Sequence, residues 1–197
     1  MSYDRQKYLE AVKANLETNI FYHSLALEAC MNGLYDYFQT NNLLTEADPP
    51  KEDWALAGLI HDIDYGGDTK DQHPLKTKEV LAKFNLEISH TVQKIILAHD
   101  SRQNIIKSNK AEWSIFCADS LTGLIVAVAL VYPSKKLADV KTSSVLKRFL
   151  KEPKFAAGTR RSEVAQCSNP SGLNLPLETF IDICLGSIRL ISNDIGL

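Results

Sequence analysis

The chain has 197 residues, 45% of them apolar and 23% charged, which suits a single domain with a substantial core. A formal net charge of −2 argues against a general nucleic-acid binder. The longest apolar run, residues 121–132, is too short to span a bilayer and contains Thr122 and Gly123, so it reads as a buried core helix. The polar N-terminus carries no signal-peptide pattern, so the expected location is the cytoplasm, with no membrane partner.

In chain order the pattern is helical throughout. Tyr8, Ala11, Val12 and Leu16 recur at helical spacing over residues 4–16. Asn19 is placed to cap a long helix that runs through Phe21, Leu25, Cys30 and Leu34 to Phe38. A polar loop over residues 41–50 ends in Pro49-Pro50. Glu52 and Asp53 then suit the first turn of a helix that ends at His61.

The loop after Gly66-Gly67 gives way at Pro74 to another helix, with His73 in the capping position. Residues 88–98 carry Val92, Ile95 and Ile96 and stop at His99, and residues 113–132 form the most hydrophobic helix, stopped by Pro133. Residues 140–150 and 175–191 are amphipathic, and residues 158–173 are too irregular to assign. No strand-like alternation and no internal repeat occurs, so the predicted fold is an all-α bundle.

The four cysteines, Cys30, Cys117, Cys167 and Cys184, are scattered and read as reduced, buried thiols rather than a disulfide framework. Charge is uneven along the chain. Residues 135–161 hold nine basic side chains against Asp139 and Glu152, whereas residues 1–72 hold thirteen acidic against five basic. The basic stretch reads either as a solvated helix face or as a rim that attracts phosphate.

Four of the five histidines fall into one ordered set with two aspartates: His23, His61-Asp62, His73, His99 and Asp119. An imidazole and a carboxylate at the end of an apolar helix are costly to desolvate without a partner, and a divalent metal suits both. Mixed imidazole and carboxylate donors favour Fe, Mn, Co, Ni or Zn over Mg or Ca, and helical bundles hold paired metals in this way. His90 lies outside the set and reads as a residue that faces solvent or caps a turn.

This order resembles the HD-domain superfamily of metal-dependent phosphohydrolases, in its two-metal variant. The likeness extends over residues 19–161, most closely at residues 57–65, 118–125, 133–141 and 144–149, where it is similar to a branch of predicted hydrolases. The resemblance implies an HD-type helical domain over residues 1–150, with residues 151–197 as a helical extension on the same core. It implies that His23, His61, Asp62 and Asp119 hold one ion, and that His73 and His99 hold a second bridged by Asp62, with Fe or Mn favoured. A metal-activated hydroxide would then act on a phosphate ester or anhydride, with a small phosphorylated substrate such as a nucleotide as partner and no nucleic-acid polymer. The alternative is a di-iron oxygenase acting on a small phosphonate or polyol with O₂.

Two departures stand out. Asp64 and Tyr65 follow the pair where some relatives have Gly and Lys, and His99 is followed by Asp100 where others have a second histidine. Asp62, Asp64 and Lys136 are the candidate catalytic groups. Asp64 would relay a proton or orient a ligand histidine, Lys136 and Lys141 would contact phosphate, and Tyr65 would donate to a substrate oxygen or cover the core. A monomer or homodimer is expected.

Overall fold

The computed structural model describes residues 3–197, so the first two residues of the polar N-terminus lie outside it. Nine α-helices and several short 3₁₀ turns account for the ordered elements, and no strand occurs among the described residues. They are α1 (Arg5–Asn15), α2 (Thr18–Thr40), α3 (Lys51–Ile60), α4 (Thr77–Ala82), α5 (His90–Ala98), α6 (Lys110–Val131), α7 (Thr142–Lys151), α8 (Arg161–Val164) and α9 (Leu177–Leu190).

The long α2 is the spine. It packs against α3, α6 and α9, while α5 lies against α3 and α6, and α7 against α6 and α9. All of these helices feed one continuous core, from Tyr8 and Val12 through Leu27, Trp54, Ile95 and Leu121 to Phe180 and Ile188. In α6 the exposed positions are Gly123 and the last turn, where Leu130 and Val131 are half exposed. That accounts for its hydrophobic run: the helix is apolar on every face because it is enclosed on nearly every face.

Two contacts set the site's frame. Gly58 on α3 meets α2 so closely that a Cβ there would stand 2.9 Å from both the Cα and the N of Glu28. The end of α1 is tied to the loop after α3, where the Asn15 amide donates to the Ile63 carbonyl at 2.7 Å.

Some boundaries differ from the sequence reading. The second helix begins at Thr18 with Glu17 before it, so Asn19 sits inside the helix and caps nothing. The helix expected at Pro74 begins at Thr77, and residues 73–76 form a turn after a cis His73–Pro74 bond. The backbone N–H of Lys76 in this turn donates to the buried Asp64 carboxylate at 2.8 Å, so a side chain takes the bond a helix would use. The unassigned residues 158–173 contain α8 and a short 3₁₀ segment.

Candidate metal centre

Helix ends and turns carry most of the site. His61 and Asp62 follow the last residue of α3, His73 sits in the turn before α4, and His99 follows α5. His23 projects from the second turn of α2 and Asp119 from the middle of α6. Five of the six line one cavity of about 690 Å³, and His61 stands fully buried behind them, with its Nε2 3.2 Å from His23 Nε2.

Two groups share Asp62. In the first, His23 Nε2 lies 3.2 Å from His61 Nε2, 2.9 Å from Asp119 Oδ1 and 3.6 Å from Asp62 Oδ2. His61 Nε2 is 3.2 Å from the same Asp62 oxygen. In the second, His73 Nε2 lies 3.0 Å from His99 Nε2 and 3.3 Å from Asp62 Oδ1. Bonds of roughly 2.1 Å around a four- to six-coordinate centre put neighbouring donor atoms about 3.0–3.4 Å apart. The carboxylate of Asp62 thus turns one oxygen to each group, as a bridging ligand does.

Hydrogen bonds on the far side of each ring fix what faces inward. His61 Nδ1 donates to the Gly58 carbonyl at 2.9 Å, and His99 Nδ1 donates to the Ile96 carbonyl at 2.5 Å. His73 Nδ1 donates to Asp64 Oδ1 at 2.7 Å. His23 Nδ1 donates to the Thr122 hydroxyl at 2.9 Å, because that hydroxyl spends its own proton on the Asp119 carbonyl. In its neutral form each ring therefore presents a bare Nε2 lone pair to the others.

Two lone pairs 3.0 Å apart, as at His73 and His99, repel unless a cation lies between them. A proton on His99 is a poor solution. Burial, and then the neighbouring His61, push His99 down to about 4. At His23 burial also lowers the pKa, but the Asp119 carboxylate outweighs it and raises the value. Burial pushes the carboxyls of Asp62 and Asp119 up, yet the imidazoles around them hold both well below the usual range. Buried carboxylates beside imidazoles whose Nε2 atoms face inward are the donor set that divalent transition ions take, and the residues present fit two of them.

Asp64 is fully buried behind His73, with one oxygen on the imidazole and the other on Lys76 N–H. It does not line the cavity, so it positions His73 rather than meeting a substrate. Tyr65 does line it, edge-on to His73 with ring centroids 5.2 Å apart. His90 is exposed.

Lys136 does not reach the site. It is exposed and absent from the cavity wall, as are Lys135 and Lys141. The reason is length: α6 continues for twelve residues beyond Asp119 before the chain turns, about 18 Å of helix. The basic side chain that does return is Arg160, whose Nη2 donates to Asp119 Oδ2 at 2.5 Å while its Nε donates to Glu163 at 2.5 Å. Arg102 stands on the same rim, held by Asp100 at 2.9 Å and donating to the His73 carbonyl at 3.2 Å.

All four cysteines are buried and free, none of them in the site. Burial pushes the Cys117 thiol well up, which suits a core residue rather than a ligand. No family model, curated protein or solved structure matches the chain.

Proposed function

We propose that the chain is an HD-type metal-dependent phosphohydrolase, acting on a phosphate ester or anhydride, with nucleotides the first class to assay. The observation that carries this reading is the joint presence of two donor groups sharing Asp62 and two arginines on the cavity rim. Two divalent transition ions bound there would supply Lewis acidity toward phosphate oxygens and a water of lowered pKa.

The chain's own residues do the rest. Asp62 spans both donor groups, and Asp64 and Thr122 hold His73 and His23 in the tautomer that exposes Nε2. Arg160 and Arg102 meet the anionic substrate with charged, forked donors. Residues 156–160 form one side of the open cavity that would admit the substrate.

Metal analysis of the purified protein, followed by assays with Mn²⁺ or Fe²⁺ with and without O₂, tests the proposal. Two ions per chain and O₂-independent phosphate release are expected. Turnover that strictly requires O₂ and releases no phosphate would replace the hydrolase with the oxygenase alternative. Asp62→Ala should lose both ions, and unchanged metal content in that variant would sink the bridging role.

A further inference from the structure

A second cavity, of about 350 Å³, begins where the metal-centre cavity ends. His23 and Gly123 line both. From there the groove follows α2 and α6 outward, past Tyr22 and Ala26 on one side and Val126 and Leu130 on the other, with Ile195 closing it. The positions are Tyr22 and Ala26 at i and i+4, and Gly123, Val126 and Leu130 at i, i+3 and i+7, so each helix turns one continuous stripe to the groove. No lysine, arginine, aspartate or glutamate contributes to it.

Gly123 is the second observation. It stands in the middle of a 22-residue helix, where glycine is the poorest helix former after proline. No packing requires it, because a Cβ there would meet nothing within 4 Å. The open space over it is the junction of the two cavities. A glycine that neither turns the chain nor admits a neighbouring helix is suited to let a ligand pass close to the backbone.

We propose that this groove is an apolar subsite of the metal centre, which takes the uncharged hydrocarbon part of a phosphate monoester whose phosphate lies on the metals. The proposal rests on phosphate recognition at the centre and narrows the substrate class. A polar sugar or base would leave its hydrogen-bonding groups unpaired along most of these walls, whereas an alkyl or aryl group gains from every buried carbon. From Gly123 to Leu130 the groove runs about 10 Å along α6, long enough for a medium-length chain.

The test is calorimetric titration of the Mn²⁺-loaded full chain with n-alkylphosphonates from methyl to octyl, and with a nucleoside monophosphate. Affinity is expected to rise with chain length, by up to about four-fold per methylene, until the groove is filled. Val126→Trp and, separately, Leu130→Trp should flatten that rise, with folding checked by circular dichroism. Binding that is equal for methyl- and octylphosphonate would overturn the subsite and leave the phosphohydrolase reading intact. So would a nucleoside monophosphate that binds more tightly than the octyl compound. No binding by any phosphonate, the methyl compound included, would overturn both.

Discussion

Asp64→Asn is the sharpest probe of the centre, because it changes a proton count and almost nothing else. The aspartate is fully buried and accepts two hydrogen bonds, from His73 Nδ1 at 2.7 Å and from Lys76 N–H at 2.8 Å. An asparagine of the same shape has only one acceptor oxygen. With that oxygen on Lys76 N–H, its NH₂ faces His73 Nδ1 and forces that nitrogen to accept. The imidazole proton then moves to Nε2, the atom that faces Asp62 and His99.

The second metal position would lose a donor, while the first, built on His23, His61 and Asp119, keeps all of its own. Loss of such a supporting partner lowers metal affinity roughly 10–100-fold, or about 1.4–2.8 kcal/mol. Mn²⁺ titration with elemental analysis of the dialysed protein is the assay: the variant is expected to retain one ion tightly and to bind the second weakly. Two ions held with unchanged affinity, or equal weakening of both, would refute the tautomer argument.

Other substitutions test separate links. Gly58→Ala puts a methyl against α2 backbone and should cost about 1–3 kcal/mol or more, read as a lower denaturation midpoint; a change under about 0.5 kcal/mol would contradict the close approach. Asp48 accepts Lys110 N–H at 2.6 Å at the start of α6, as well as Thr45 N–H at 2.9 Å. Burial alone would raise its pKa, but these bonds hold it below the ordinary 3.8. Its folded value is depressed, so its stabilisation is full above the unfolded value and fades as pH falls through the folded one. Asp48→Asn should therefore be less stable than the parent at pH 7, with the gap closing below about pH 4; a pH-independent gap would rule out the ionised carboxylate as its source. If the chain cleaves phosphate esters, Arg160→Ala should raise KM at least about ten-fold. Lys136→Ala should leave KM within about two-fold, and the reverse ranking would restore Lys136 as the anion contact.

The ligand set is legible in the sequence because its chemistry is scarce: five histidines, four in one ordered pattern with two aspartates, have few other uses inside apolar helices. What decides second-rank roles is not local. Asp64 is two residues from Asp62, and whether it meets substrate or His73 depends on the turn at residues 73–76 folding back over it. Nine basic residues in one stretch offer nine candidates for the rim. The one that arrives, Arg160, is chosen by the path of residues 152–160 after α7 rather than by any feature of its own neighbourhood. Helix limits shifted where a side chain intercepted a backbone donor, as Asp64 does at Lys76. Thr122 left no trace, since a threonine in an apolar helix is ordinary until a histidine from another helix donates to it.

The partners behind the four imidazoles have a consequence for how alike the two metal positions can be. In each pair one histidine leans on a main-chain carbonyl, Gly58 for His61 and Ile96 for His99, and the other leans on a side chain. Those side chains differ in charge: the neutral hydroxyl of Thr122 behind His23, the anionic carboxylate of Asp64 behind His73. The first position receives its private negative charge directly from Asp119, and the second receives it relayed through a ring that Asp64 makes a stronger electron donor. Asp62 would thus be shared by two unequal positions, one offering two imidazoles and two carboxylates and the other two imidazoles and one carboxylate, and a cell offering a mixture of metals would fill them differently.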